Sequence, residues 1–253
     1  MTLSSSVSEP QYPLIRSVGE AAVTVEFGDR LDERCNTAAI VFDAALRTMA
    51  LPQILETAPT NRSVLIRFDP LDLAPQTLRG LLSDLLSDRD WYASELPEGR
   101  SLWRIPVKYG DEEGPDLEDV AALLGVEAED VIHQHSADRL RVNMIGFSPG
   151  LAYCGALPEP WDFARLDHVK PEEPVGSICV AVRQTVIFPI AMPTGWRRIG
   201  LTPFRNFDLQ RDPVFLMEPG DEVAFKPICK DEFEDLMTRV LSGESVVERE
   251  VLS

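Results

Sequence analysis

Residues 145–155 read Ile145-Gly146-Phe147-Ser148-Pro149-Gly150-Leu151-Ala152-Tyr153-Cys154-Gly155. Glycine permits backbone conformations and close approaches that a side chain forbids. Pro149 fixes its own φ and donates no N–H. The segment therefore makes a stiff, shaped loop whose aromatic walls suit a pocket, although a Gly/Pro surface loop without chemistry fits the same composition. Gly146-x-Ser148-x-Gly150 also matches the nucleophile elbow of serine hydrolases. Two features argue against that reading. The residue after the serine must supply an oxyanion N–H, and Pro149 has none. A helix must follow the turn, and Gly150 and Gly155 oppose one.

Outward from this loop, short β-branched runs such as Ser177 to Val182 and Thr185 to Pro189 are punctuated by prolines and glycines. That rhythm predicts a mainly-β barrel or sandwich with long loops from Leu140 onward. Phe233, Met237 and Val240 give Asp231 to Leu241 a helical spacing. Upstream, Ile105, Val107 and Tyr109 alternate as a strand. Asp116 is placed to cap a helix with Leu117, Val120, Ala121 and Leu124 on its apolar face, stopped by Gly125.

The first hundred residues alternate strands and helices. Ala21, Val23, Val25 and Phe27 share one strand face, as do Val64, Ile66 and Phe68. Val41, Ala45 and Met49, flanked by Phe42 and Leu46, predict a helix within Asn36 to Met49. Leu78, Leu81, Leu82 and Leu85 predict another over Pro75 to Leu86. A β-α-β-β-α order suggests a small α+β sandwich. Ser87 to Ser101, charged and carrying Pro97 and Gly99, reads as a linker. The expected organisation is a disordered tail at 1–10, an α+β domain at 11–98 and a β-barrel domain at 99–253.

The 253 residues carry a formal net charge of −18, which repels a phosphate backbone and anionic membrane surfaces. Nucleic acid and membrane are not expected partners. No run of 18 apolar residues occurs, so no transmembrane helix is expected. Met1 to Pro10 lacks the pattern of a secretory signal. Cys35, Cys154, Cys179 and Cys229 form no C-x-x-C pair, so no zinc site is expected and free thiols in a cytoplasm are the default.

Several blocks in order carry a resemblance. They are Ile105-Pro106-Val107-Lys108-Tyr109-Gly110, Gly114-Pro115-Asp116-Leu117 and Val131-Ile132-His133-Gln134-His135-Ser136, followed by the glycine-rich loop. Pro174-Val175-Gly176-Ser177-Ile178, Gln184-Thr185, Pro193-Thr194-Gly195-Trp196, Thr202-Pro203, Phe207-Asp208 and Pro219-Gly220-Asp221 come after it. Together they resemble the carboxyltransferase-type subunit 1 family, which takes in the B subunit of 5-oxoprolinase, allophanate hydrolase subunit 1 and Kip-type kinase inhibitors. The resemblance implies an α+β N-terminal sandwich domain followed by a mainly-β cyclophilin-like barrel domain.

It further implies one subunit of an ATP-dependent amidohydrolase complex, acting on a small lactam or amide with a paralogous subunit 2 and a possible third hydrolase subunit. ATP would be bound in the complex, since this chain has no G-x-x-x-x-G-K-[ST]. Two other readings stay open. One is half of a biotin-dependent carboxyltransferase, its biotin on a partner. The other is a non-catalytic inhibitor of a sensor histidine kinase. The chain departs from the family pattern where Val182, Arg183 and Val186 replace glycines, which narrows or relines a ligand-facing turn.

The candidate catalytic residues are His135, which titrates near neutrality, and Gln184. Candidate substrate contacts are Gly146, Phe147, Pro149, Gly150, Tyr153, Lys170, Thr185 and Trp196. A structural histidine, a plain turn at Gln184-Thr185 and a core tryptophan are the competing readings. Lys170, Arg183, Arg197 and Arg198 could hold a carboxylate or phosphate, or be solvated charges. Cys154 has no neighbouring His to activate it as a nucleophile. His133 and His168 read as surface residues.

Overall fold

The computed structural model describes residues 11–252; the expected tail at 1–10 lies outside them. The chain divides into two compact units, one reaching Leu96 and the other starting at Pro97.

The first unit runs β1 (Leu14–Ser17), β2 (Ala22–Glu26), α1 (Glu33–Thr48), β3 (Ile54–Pro59), β4 (Ser63–Phe68) and α2 (Pro75–Ser87). Its antiparallel sheet has the order β1-β2-β4-β3, so β1 adds a strand to the expected β-α-β-β-α series. Val23, Val25, Val64 and Ile66 point into one core, as their period of two requires. Asp32 caps α1 by accepting from the N–H groups of Arg34 and Cys35. The buried face of α1 is Ala39, Phe42 and Leu46, while Met49 is exposed. The larger apolar side chains at i and i+4 decide which stripe goes inward. Trp91, on a short 3-10 turn in the expected linker, is also buried in this core, donating from its indole N–H to the Leu86 carbonyl. Its charged neighbours Asp88, Arg89 and Asp90 conceal a core residue in the sequence.

The second unit begins with β5 (Ser101–Tyr109), α3 (Leu117–Leu124), α4 (Ala128–Ala137), β6 (Leu140–Ile145) and β7 (Ala152–Gly155). It continues with β8 (Lys170–Glu173), β9 (Ser177–Ala181), β10 (Gln184–Ile187), β11 (Met192–Thr194) and β12 (Arg197–Leu201). β13 (Glu222–Pro227), α5 (Lys230–Leu241) and β14 (Glu248–Val251) complete it. Among the described residues, seven strands form a closed barrel in the order β12-β9-β10-β7-β6-β13-β5, sealed where Tyr109 and Lys108 of β5 pair with Gly200 and Leu201 of β12. β14 pairs with the other half of β5, and β13 with β5 is the parallel pair. Ile105, Val107, Val142, Cys154, Ile178, Val180 and Val223 fill the interior.

This barrel fits the cyclophilin-like expectation. With α3, α4 and α5 the unit is mixed α/β rather than mainly β. The polar run His133 to Ser136 gives α4 little apolar periodicity to read. Asp116 precedes α3 but does not cap it through its side chain; its carboxylate instead accepts from the Arg198 N–H and from Lys170. No helix among the described residues is long and apolar enough to cross a membrane.

Candidate functional site

The glycine-rich loop joins β6 to β7 at one end of the barrel. It closes on itself: the Gly146 N–H donates to the Leu151 carbonyl and the Leu151 N–H to the Ser148 carbonyl. Both glycines are needed. A Cβ at Gly146 would stand 2.6 Å from the Tyr153 ring, and one at Gly150 (φ +76°) would stand 2.8 Å from Phe207 Cβ. Asn206 is the loop's outside anchor. It is buried, donates to the Gly150 carbonyl at 2.7 Å and accepts from the N–H groups of Leu216 and Met217. Phe147, expected to wall a pocket, stands fully in solvent. Pro149, between Ser148 and Gly150, completes the loop's turn.

Alternation along β7, β9 and β10 divides the remaining candidates between two sides of the sheet. Tyr153, Cys179, Ala181 and Val186 face outward and form an apolar cluster with Leu151, Phe188 and Trp196. Val186 lies opposite both Tyr153 and Cys179 in the ladder, so the residue replacing a family glycine fills this outer floor. The Tyr153 and Trp196 rings meet edge to face at 5.8 Å. Arg165 lies over the Trp196 ring at 5.2 Å. Trp196 thus belongs to a small satellite core, almost wholly buried beneath Arg165.

Thr185 points the other way, into the barrel, where its hydroxyl lies 2.9 Å from His135 Nε2. His135 Nδ1 lies 2.8 Å from the Tyr109 hydroxyl, and the imidazole stacks on Phe225 at 4.6 Å. Burial lowers the His135 pKa to about 3 and raises that of Tyr109 well above its ordinary range. The ring is 1 % exposed. It is neutral at physiological pH and closed to any solvent-borne substrate. In this chain the ring tethers α4 against the barrel through Tyr109 and Thr185. Gln184 is also buried, and it pairs with Gly155, at the end of β7 remote from the loop. The sequence thus presents as one polar pocket what the fold separates into an inner tether and an outer platform.

Lys170, the expected substrate cation, sits in an ion cluster. It pairs with Asp116 and, at 3.2 Å, with Glu173. Burial works to lower its pKa, but hydrogen bonds and charge from Asp116 and Glu173 outweigh it and hold it above the ordinary value. Arg198 pairs with the buried Glu173, without hydrogen-bond alignment at Nε, and donates to the Glu112 and Glu113 carbonyls. Arg197 pairs with Asp119 and donates to the Ala164 carbonyl. Arg183 donates from Nε to the Leu157 carbonyl. Cys154 is buried, and its thiol is pushed up to about 12 by desolvation, which leaves no thiolate to attack. His133 and His168 are exposed, as expected of surface residues.

Two concavities lie in the first unit, one lined by Leu46, Leu51, Ile54 and Thr57 and another by Asp29, Asp32, Cys35 and Tyr92. Neither touches a candidate residue. Arg165 and Asn206 are the functional candidates that sequence reasoning missed. Asn206 carries a usable signal, a lone amide between Phe204 and Phe207. Arg165 carries none.

Residues 13–217 match the model of the carboxyltransferase domain, subdomain C and D. Over 226 residues the chain is 30% identical to the B subunit of 5-oxoprolinase from Bacillus subtilis (strain 168), covering 87% of this chain and 94% of that one. Over 214 residues it is 35% identical to the protein of the same name from Escherichia coli O157:H7, covering 83% and 94%. The crystal structure of the Kluyveromyces lactis urea carboxylase shares the fold, with a TM-score of 0.75 over 93% of this chain at 18% identity. The chain spans 23% of that protein's length.

Proposed function

The chain belongs to the carboxyltransferase-domain family, subdomain C and D, and from that premise we propose that it is one subunit of a cytoplasmic, ATP-dependent complex that opens a small lactam or amide. The observation that carries this reading is the match along 94% of the length of two relatives, each named as the B subunit of 5-oxoprolinase. A second, related subunit completes the active centre, and a third hydrolase subunit joins it. The outer face around Tyr153, backed by the buried Trp196 and beside the loop, receives the substrate. Phe147, an aromatic held out on a stiff loop, lies on the face that the second subunit covers.

ATP does not fit this chain alone. The cations that would meet a triphosphate, Lys170, Arg197 and Arg198, are already matched by Asp116, Glu173 and Asp119. The nucleotide belongs to another subunit. What this chain supplies is shape and orientation: a rigid loop, an aromatic wall and donors fixed by the barrel.

Gentle purification of the tagged chain from its own cell, followed by an ATP-dependent lactam-opening assay on the recovered complex, tests the reading. A related subunit with a hydrolase partner and ATP-linked opening is the expected result. A biotin carboxylase partner favours carboxyl transfer, the chemistry in the family's name. A sensor kinase alone, or no enzyme partner, sinks the enzymatic reading. In the same purification, Phe147→Ala should weaken recovery of the partner several-fold while leaving the barrel folded.

A further inference from the structure

We infer that Arg165 and Tyr153, backed by Trp196, form a docking site for the carboxylate of a small substrate. This rests on the reading of the chain as part of a lactam- or amide-opening complex, and it names the group by which that substrate is held.

Among the described residues, no carboxylate or carbonyl meets the Arg165 guanidinium, which lies over the Trp196 ring. The other basic candidates around the barrel are paired, as described above. The guanidinium is held in place without being neutralised. The neighbouring backbone is pinned on both sides, because the Ala164 carbonyl accepts from Arg197 and the Leu166 N–H donates to the Gly195 carbonyl. A cation laid on an indole keeps its N–H edge available, and that edge matches a carboxylate bidentately.

The Tyr153 hydroxyl likewise has no hydrogen-bond partner among the described residues, and its ring packs on the same indole. Burial raises the Tyr153 pKa, while Arg165 pulls it down, so the two groups lie close enough to feel each other. The phenol stays protonated at neutral pH and can donate. A guanidinium fork and one phenol suit a singly charged carboxylate. A phosphate dianion, with twice the charge of a carboxylate, is repelled more strongly by the net charge of −18.

The test is calorimetric titration of the purified full chain with 5-oxoproline, its carboxamide, acetate and inorganic phosphate. Wild type should prefer 5-oxoproline over the carboxamide by at least about tenfold, the scale of one charge-assisted contact. Arg165→Gln should abolish that preference, Arg165→Lys should restore part of it, and Tyr153→Phe should weaken binding a few-fold. Because Arg165 is exposed, unchanged melting temperatures are expected, and the ¹⁵N-resolved Nε–H signal of Arg165 should shift on adding ligand. If all carboxylates bind alike and lose affinity in Arg165→Gln, the site stands and the lactam reading fails. Unchanged binding in Arg165→Gln, tighter binding of phosphate, or no carboxylate binding at all overturns the site.

Discussion

His135 couples the stability of the barrel to acid. Its neutral ring takes up a proton only near pH 3 when folded, against 6.5 in the open chain. Below 6.5 the unfolded state therefore binds more protons than the folded one. The contribution is complete above pH 6.5 and is lost as pH falls toward 3, at about 1.4 kcal/mol per pH unit. Between about pH 6.5 and about pH 5 the wild type should lose about 2 kcal/mol that His135→Gln does not lose. Urea melts of both proteins at the two pH values read the difference directly; parallel losses would mean the ring is wetter than its burial implies. At the other end of the tether, Thr185→Val leaves the ring nitrogen facing an apolar surface. A cost of about 1–3 kcal/mol is expected in denaturant melts at neutral pH.

Among the elements, the β9–β10 hairpin is the one built against its own turn chemistry. Ala181 pairs with Gln184, leaving Val182 and Arg183 as a two-residue turn with φ of 45° and 62°. Such a turn favours Asn-Gly, and a β-branched residue at positive φ is an outlier. The surroundings hold it: the Val182 and Arg183 N–H groups donate to the Phe163 and Trp161 carbonyls, and the Arg183 carbonyl accepts from Leu157. Val182→Asn should stabilise the unit by about 1 kcal/mol, seen as a higher melting temperature. A lower one would show that the valine's packing outweighs its strain.

The same element shows how far the sequence could be read. Its two strands, and the three residues replacing glycines, were legible from β-branched runs and from the family blocks. Legible too were β5, the α3 face and the loop's stiffness. Which side of the sheet each residue faced was not. Thr185 and Val186 are adjacent in sequence, yet register sends one inside and the other out. Lys170 and Asp116 are far apart in sequence, and only the fold reveals their pairing.

Among the described residues the main hydrophobic cores of the two units, and the smaller clusters beside the barrel, share no residue across the units. A chain starting at Pro97 should therefore fold by itself, with one cooperative denaturant transition and far-ultraviolet dichroism typical of mixed α/β structure. A broad, non-cooperative transition would show that the barrel depends on the first unit. Within that barrel, β5 is the strand on which the closure depends. It is almost wholly buried, and its partners β12, β13 and β14 all lie far downstream. On a ribosome adding about 5–20 residues per second, this sticky segment emerges on the order of ten seconds before its partners. The newborn protein thus spends that interval with an unmet strand, a natural target for a chaperone.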